Sequence, residues 1–381
     1  MICAAFFVYV AAHVPGAAAA TSLLPAPPAI AAKSYILMDA NTKKVLVEFN
    51  GDEPLPPASL TKIMTSYVAA VEVEAGRIDL TDEVLISVKA WKTPGSRMFV
   101  REGTRVPLLD LLKGVVIQSG NDASVAIAEY IAGSESAFAD MMNQHSAELG
   151  LVGSQFENST GLPDENHYST ARDMATLALE LIRRYPDHYQ LYGERSFTYN
   201  NIEQPNRNRL LWRDRTVDGV KTGHTNAAGY CLVASAEREG MRLLSAVMGT
   251  DSDEARMRES QKLLSYGFRY FQTQLLYGVD APLTSREVWY GDVDDGAMGV
   301  SEPVYVTIPR GRYDDLKATL DIPRLIEAPI GAGEQLGELR VTLDDELVVS
   351  VPLVARGAVA QANVFTRLGH GIYLFFRELF R

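Results

Sequence analysis

The spacing of the apolar residues changes near residue 272, and this change limits the fold more than any other feature of the sequence. Before that point, a hairpin pattern surrounds Asn41 and is followed by helical and strand patterns. The helical patterns lie at 60–75, 107–117, 122–132, 135–149, 170–184 and 253–271, and the strand patterns at 218–224, 229–237 and 241–248. Helices inserted among strands that are joined by short turns predict an α+β domain over residues 33–272, an antiparallel sheet with helices on its faces.

Beyond residue 272 apolar residues alternate with polar ones instead. Alternating runs at 304–308, 339–343 and 347–353 are separated by Gly, Pro and Asp, which is the pattern of strands joined by turns. We therefore expect a small all-β domain over residues 273–357, with a sandwich as the expected architecture.

Residues 1–20 have the pattern of a signal peptide. An apolar run at 2–12 is too short to cross a bilayer, and it precedes an alanine tract at 17–20 that offers cleavage sites. No Lys or Arg precedes this run, which is unusual for such a segment. We expect export of the chain and a Pro/Ala-rich linker at 21–32. Removal of the leader would take Cys3 with it and leave Cys231 as a single cysteine, buried as a small apolar side chain.

The last residues, 361–381, differ in composition from the body of the chain. The whole chain has 36 Lys+Arg against 48 Asp+Glu, a formal net charge of −12, which argues against nucleic-acid binding. The tail is basic and aromatic instead, and its apolar residues at three- and four-residue spacing are Phe365, Leu368, Ile372, Phe375 and Leu379. We expect an amphipathic helix that anchors the protein to a membrane surface, with packing of this helix on a domain as the alternative.

Three short motifs of nucleophilic and basic residues follow one another in the α+β domain. They are Ser59-Leu60-Thr61-Lys62 at the start of a helical pattern, Ser119-Gly120-Asn121 between two helical patterns, and Lys221-Thr222-Gly223, followed by His224-Thr225, on a strand pattern. A serine hydroxyl is a weak nucleophile and needs a base within hydrogen-bond reach. The spacing of Ser59 and Lys62 places both on one face of the first turn of a helix, where backbone N–H groups favour a negative oxygen.

Lys62 is the base that this pattern offers, provided that its pKa falls toward neutrality. Burial and a second cation would lower the pKa, and Lys221 is the candidate for that cation. Ser119 would pass a proton between the two lysines, Asn121 would orient Lys62 or a substrate amide, and Gly223 would let a substrate backbone approach the strand. Each motif alone is weakly specific, but the three in this order favour a serine acyl-transfer enzyme.

Other chemistries have less support in the sequence. The six histidines show no metal-ligand spacing, and no glycine-rich phosphate loop follows a strand. Neither a metal nor a cofactor is expected.

The motifs and the segments around them resemble the low-molecular-mass penicillin-binding proteins of types 5 and 6, the D-alanyl-D-alanine carboxypeptidases of bacterial cell-wall metabolism. The resemblance runs from about residue 33 to the C-terminus and rests on PASLTKIMTSY, QSGNDASVAIAEY, YSTARDMA, QPNRNRLLW, VDGVKTGHTNAAGY and YVTIPRGR. It implies a serine DD-peptidase domain of the β-lactamase-like fold, a C-terminal β domain and an amphipathic membrane anchor. It also implies release of D-alanine from peptidoglycan pentapeptide stems through an acyl-enzyme, covalent inhibition by β-lactams, and a location on the periplasmic face of the inner membrane.

The resemblance assigns a role to each motif residue. Ser59 is the implied nucleophile and Lys62 its base, with Ser119 and Asn121 completing the catalytic set. The implied oxyanion hole consists of the backbone N–H groups of Ser59 and His224. The residues implied to bind substrate are Lys221, Thr222, Gly223, His224, Thr225 and Arg256. Arg256 would hold the terminal carboxylate, and a solvated helix charge is the alternative for this residue.

Two other functions fit the same motifs. A β-lactamase needs a carboxylate that activates a deacylating water, for which Glu157 and Glu165 are candidates, although Glu165 lies in a Gly/Pro/Asp-rich loop typical of solvated acids. A non-catalytic penicillin-binding or peptidoglycan-binding scaffold would keep the same residue types without the activity. The β domain and the basic tail favour an anchored carboxypeptidase over a small diffusing β-lactamase.

Overall fold

The computed structural model describes residues 24–380, so the predicted signal peptide and Cys3 lie outside the described residues. Its helices are α1 Lys62–Glu74, α2 Val88–Lys92, α3 Leu108–Lys113, α4 Asn121–Ala132, α5 Glu135–Glu148, α6 Ala171–Arg184, α7 Pro186–Tyr189, α8 Leu210–Arg213, α9 Asp253–Tyr270 and α10 Val364–Leu379. Its strands are β1 Ser34–Asp39, β2 Val45–Phe49, β3 Glu83–Leu85, β4 Arg105–Pro107, β5 Ser196–Tyr199, β6 Ile202–Pro205, β7 Val217–Thr225, β8 Gly229–Arg238, β9 Met241–Thr250, β10 Phe271–Tyr277, β11 Thr284–Glu287, β12 Asp295–Gly299, β13 Val304–Pro309, β14 Leu316–Asp321, β15 Gln335–Leu343 and β16 Glu346–Ala355. None of the described helices combines the length and the apolar character needed to cross a membrane.

A five-stranded antiparallel sheet in the order β2-β1-β9-β8-β7 forms the centre of the first part of the molecule. Successive side chains of a strand point to opposite faces, and both faces of this sheet are covered. One buried apolar cluster contains Ile36 and Val233 together with residues of α1 and α6. A second cluster contains their chain neighbours Leu37 and Leu232 together with residues of α9. This arrangement confirms the predicted α+β fold with helices on the faces of an antiparallel sheet.

The second part contains a five-stranded sheet in the order β11-β12-β16-β15-β14 and a two-stranded sheet of β10 and β13. Val304 of β13 packs against Leu339 and Val341 of β15, so the two sheets bury their apolar faces against each other, as a sandwich does. Strand β10 continues directly from α9, and the predicted boundary between residues 272 and 273 therefore falls inside one strand. The boundary itself stays a prediction.

The turn between β1 and β2 contacts the second part through hydroxyl groups. Thr42 Oγ1 lies 2.7 Å from Thr307 Oγ1, and Thr273 Oγ1 donates to Asp39 Oδ2 at 2.6 Å. Lys44 Nζ adds a hydrogen bond of 3.0 Å to the Thr307 carbonyl. These contacts tie the central sheet to β10 and β13.

Residues 24–32, the described portion of the predicted linker, have no regular secondary structure but lie against α9. Tyr266 Oη donates to the Pro25 carbonyl at 2.9 Å, and the Ala31 N–H donates to Glu259 at 3.3 Å. This portion is therefore attached to the domain along its length, which a Pro/Ala-rich composition alone does not predict.

Helix α10 lies with one side on the β domain. Trp289, which is 4% exposed, stacks on Tyr373 with ring centroids 5.7 Å apart, and the Tyr290 N–H donates to His370 Nδ1 at 2.9 Å. The apolar side chains that the sequence placed on one face of this helix remain exposed to solvent; they are Phe365, Leu368, Ile372, Phe375 and Leu379.

Candidate active site

The first motif lies where a proline-rich segment enters α1. Ser59 belongs to a 3-10 turn, Ala58–Thr61, and Lys62 is the first residue of the α-helix that follows. The Leu60 N–H donates to the Pro57 carbonyl at 3.1 Å, which closes the turn. Lys62 Nζ donates to Ser59 Oγ at 3.1 Å, so the structure brings together the two residues that the spacing placed on one helical turn.

Lys62 is fully buried and makes three hydrogen bonds. Besides Ser59, its amine contacts Asn121 Oδ1 at 2.7 Å and the Thr160 carbonyl at 2.6 Å. Burial, followed by the charge of Arg207, lowers the pKa of Lys62 to about 7. A lysine with this pKa is partly neutral at physiological pH, which is the form that accepts a proton from a serine hydroxyl.

The second motif lies between α3 and α4. A single π-helical turn, Gly114–Gln118, ends at Ser119, whose φ of 66° is in the left-handed region. The Asn121 amide donates to the Pro94 carbonyl at 2.6 Å, so its oxygen is turned toward Lys62. Ser119 Oγ is buried and has no hydrogen-bond partner among residues 24–380. The predicted relay from Ser119 to the lysines is therefore not formed in this structure.

The third motif lies on β7, one of the two edge strands of the central sheet. Lys221 is buried, and its amine donates to the Thr222 carbonyl at 3.2 Å. Burial, followed by the charge of Lys62, lowers the pKa of Lys221 well below its usual range. The role of Lys221 as the cation expected beside Lys62 stays a prediction, and Arg207 is a further cation that lowers the pKa of Lys62.

Gly223 faces the turn that carries Ser59. A Cβ atom at this position would lie 2.9 Å from the Pro57 carbonyl oxygen and 3.3 Å from the Leu60 backbone nitrogen. The glycine is thus required for β7 to pack on the nucleophile turn. The approach of a substrate backbone to Gly223 stays a prediction.

Arg256 is nearly buried and lies behind β7. Its Nη1 atom donates to the Gly223 carbonyl at 2.9 Å, and its Nη2 atom pairs with Asp253, which also contacts Arg209 Nε at 3.2 Å. Its guanidinium lies 5.5 Å from the ring centroid of Tyr230. Arg256 is therefore placed at the site, and the alternative of a solvated helix charge does not describe it.

A cavity of about 670 Å³ opens beside Arg256. Its other lining residues include Gln118, Arg207, Arg209, Trp212 and Asp253, so three arginines stand against one carboxylate around it. A carboxylate is the group that such a cavity favours.

His224 and Thr225, which follow the third motif, are the last two residues of β7. His224 is exposed, and its ring stacks on Tyr230 with centroids 3.9 Å apart. Thr225 Oγ1 accepts a hydrogen bond of 3.1 Å from the Ala228 N–H, so this hydroxyl also closes the turn into β8.

Sequence reasoning missed three groups at the site: the carbonyl of Thr160, Arg207 and His167. Arg207 stands in QPNRNRLLW, a segment that carried the family resemblance but was given no role. Thr160 acts through a backbone atom, which no residue pattern reveals. His167 lies at hydrogen-bond distance from Thr61 of the first motif. Within the described range, no group of three or more His, Cys, Asp or Glu side chains could hold a metal ion.

Comparison with known proteins agrees with this geometry. The family model of D-alanyl-D-alanine carboxypeptidase, peptidase S11, matches residues 21–252, and that of the penicillin-binding protein 5 C-terminal domain matches residues 271–361. The chain is 44% identical to the D-alanyl-D-alanine carboxypeptidase DacA of Escherichia coli over 367 residues, which are 94% of this chain and 91% of that protein. It is equally identical, over 362 residues, to DacC of the same organism, with 93% and 90% covered.

Solved structures give the same result. Penicillin-binding protein 5 from Haemophilus influenzae superposes with a TM-score of 0.85 at 41% identity, covering 88% of this chain and 100% of that one. Penicillin-binding protein D2 from Listeria monocytogenes, solved in its ampicillin-bound form, has a TM-score of 0.58 at 25% identity, covering 63% of this chain and 98% of that one. The similarity extends through the catalytic motifs and the β domain, and the chain belongs to the peptidase S11 family of D-alanyl-D-alanine carboxypeptidases.

Proposed function

We propose that this chain releases the terminal D-alanine of peptidoglycan pentapeptide stems through an acyl-enzyme on Ser59. The observation that carries the proposal is the 3.1 Å contact between Lys62 Nζ and Ser59 Oγ, made by a fully buried lysine whose pKa is lowered to about 7. The carboxypeptidase relatives of this family act at the same class of bond, as their names state.

The reaction divides into two acyl transfers. Neutral Lys62 accepts the Ser59 proton while Oγ bonds to the carbonyl carbon of the penultimate D-alanine. The C–N bond breaks, and the proton passes from Lys62 to the amine of the departing D-alanine. A water molecule then attacks the ester, giving up a proton to Lys62, and the proton returns to Ser59 Oγ as the shortened stem leaves.

The residues around this pair have supporting roles in the proposal. The backbone N–H groups of Ser59 and His224 would hold the oxyanion, as the close packing of β7 on the nucleophile turn favours. Asn121 fixes the Lys62 amine, and Ser119, whose buried hydroxyl is free of other bonds within the described residues, would donate to substrate or pass the proton.

Substrate binding is assigned to β7 and Arg256. The stem peptide would lie along the edge of β7, next to Lys221, Thr222 and Gly223, as an added strand does. Arg256, with the hydroxyls of Thr222 and Thr225, would bind the terminal carboxylate. The cationic cavity beside Arg256 supports this assignment.

The positions of the acidic residues favour the peptidase over a β-lactamase. Glu157 and Glu165 are both exposed, and no carboxylate in the part of the chain that the structure covers bonds to Ser59 Oγ or Lys62 Nζ. Without a carboxylate to activate water, the penicilloyl-enzyme should persist for minutes. Its turnover within seconds would instead favour the β-lactamase.

The decisive experiment measures D-alanine release by mass spectrometry from a pentapeptide that ends in D-Ala-D-Ala. Ser59→Ala is expected to abolish both release and covalent labelling by penicillin, whereas Ser136→Ala, at an exposed serine of α5, should change neither. Release that persists in purified, folded Ser59→Ala protein would refute the mechanism. Labelling without any release in the wild type would favour a non-catalytic scaffold.

We also propose that α10 anchors the exported enzyme to the periplasmic face of the inner membrane. Phe365 and Phe380 are 86% and 83% exposed, and α10 itself contains Arg367 and Arg377, a combination that suits an anionic bilayer surface. The protein should sediment with anionic vesicles, and deletion of residues 361–381 should remove that binding while penicillin labelling continues. Equal sedimentation of the shortened protein would refute the anchor.

A further inference from the structure

The loop of residues 157–167 forms one side of the Lys62 environment. Its Thr160 carbonyl accepts a hydrogen bond of 2.6 Å from Lys62 Nζ. Its Gly161 lies so close to the nucleophile turn that a Cβ atom would come within 1.8 Å of the Ala58 carbonyl oxygen. The position of this loop therefore determines both a hydrogen bond of the base and the exclusion of water from it.

His167 ties the end of the loop to the first motif. Its Nε2 atom lies 2.8 Å from Thr61 Oγ1, and its Nδ1 atom accepts a hydrogen bond of 3.2 Å from the Glu157 N–H. A backbone N–H can only donate, so Nδ1 carries no proton and Nε2 is the protonated nitrogen. The ring thus bridges both ends of the loop and donates to the residue that precedes Lys62.

The surroundings of His167 keep the ring in this neutral form. The residue is 4% exposed and lies edge-on to Phe156 with ring centroids 5.8 Å apart. Burial lowers the pKa of His167 to about 4, and the charge of Lys62 acts in the same direction against that of Asp164. The acceptor nitrogen is therefore available over the whole range in which Lys62 titrates.

We propose that His167 is a positioning residue for Lys62, acting by holding the 157–167 loop, and with it the Thr160 carbonyl, against the nucleophile turn. The inference rests on the proposed role of Lys62 as base. When the ring is absent, the loop is free to move away and water reaches the amine. Because burial is the main reason for the low pKa of Lys62, hydration should raise this pKa and leave less of the neutral base at pH 7.

The test is the rate of acylation by a labelled penicillin, measured from pH 5 to pH 9 on the full chain. His167→Ala should acylate between about tenfold and a hundredfold more slowly at pH 7, as expected for a misplaced catalytic group. Its pH–rate midpoint should move to higher pH. His167→Gln offers an amide oxygen to the Glu157 N–H and an amide N–H to Thr61, and it should stay within about threefold of the wild-type rate at an unchanged midpoint.

His188 provides a matched control. Its Nε2 atom also contacts a hydroxyl of α1, Ser66 Oγ at 2.6 Å, and burial also lowers its pKa to about 4. Within residues 24–380, no hydrogen bond joins the His188 side chain to the 157–167 loop. His188→Ala should therefore retain the wild-type midpoint, even where it lowers the free energy of unfolding.

Three results would overturn the inference: a wild-type rate and midpoint in His167→Ala, an equal shift in His188→Ala, or no recovery in His167→Gln. If His167→Ala does not fold, Thr61→Val removes the same hydroxyl at nearly constant volume and should show the same upward shift; an unshifted midpoint there would also refute the proposal. Failure of the proposed function is a separate result, since it would appear as labelling of Ser59→Ala.

Discussion

Lys62 Nζ lies 3.1 Å from Ser59 Oγ, and the lysine reaches the serine from within the protein, where no part of its side chain contacts solvent. The neutral amine is the form that accepts the serine proton, and its pKa is lowered to about 7. The rate of acylation by penicillin should therefore rise with pH around a midpoint near 7. Labelling rates at constant ionic strength test this, and a rate independent of pH between about 5 and 9 would contradict it.

The same pKa affects the stability of the fold. Lys62 titrates at 10.5 when unperturbed and at about 7 in the folded protein. Between these values the unfolded chain holds a proton that the folded chain lacks, so the free energy of unfolding rises with pH; below 7 both states are protonated and the effect is constant. Compared with Lys62→Met, the wild type should gain stability above pH 7 by up to about 1.4 kcal/mol per pH unit. Urea unfolding of both proteins at several pH values measures this difference, and a constant difference would contradict the lowered pKa.

Gly223→Ala should separate β7 from the nucleophile turn. The added methyl group would lie 2.9 Å from the Pro57 carbonyl oxygen, so either β7 or the turn that carries Ser59 has to shift. We expect a loss of about 1–3 kcal/mol in the free energy of unfolding and an acylation rate at least tenfold lower. Gly278→Ala is the matched control, since a Cβ atom there meets nothing within 4 Å. Wild-type acylation by Gly223→Ala would show that the turn tolerates the displacement.

The parts of the structure that could be predicted are those governed by local spacing. Strand patterns at 229–237 and 241–248 became β8 and β9 to within two residues, because alternation and a short turn specify a hairpin. The pairing of Ser59 with Lys62 follows from their separation by one helical turn.

The parts that could not be predicted depend on approaches between distant segments. The Thr160 carbonyl is 98 positions from Lys62, and a backbone oxygen has no sequence signature. Arg207 carries no motif of its own, and its charge acts on Lys62 only because the fold brings the segment between β6 and α8 near α1. The reason for Gly223 likewise depends on which face of β7 meets the nucleophile turn, and alternation alone does not decide this.

Asp253→Asn should weaken the hold on Arg256. Asp253 pairs with the guanidinium of Arg256 and with Arg209, and all three residues line the same cavity. The variant should raise KM for a peptide ending in D-alanine by about three- to tenfold with a smaller change in kcat, because a charged hydrogen bond contributes roughly 1–2 kcal/mol. Glu254→Gln, at the exposed neighbouring acid in the first turn of α9, controls for the loss of a helix-terminal charge. Equal effects of the two variants would refute the specific role of Asp253.

Trp289→Ala should free α10 from the β domain. The indole ring stacks on Tyr373 at 5.7 Å, lies 5.3 Å from His370 edge-on, and has the Arg377 guanidinium 5.8 Å from its centroid. Removing a buried aromatic ring lowers the free energy of unfolding by about 3–5 kcal/mol where the cavity cannot collapse. Here the loss should weaken the packing of α10 on the β domain. Amide hydrogen exchange in α10 should become much faster in the absence of vesicles, while penicillin labelling stays at the wild-type level. Trp212→Ala, at a half-exposed tryptophan in α8, should leave exchange in α10 unchanged. Unchanged protection of α10 in Trp289→Ala would mean that the stacked ring does not hold the helix.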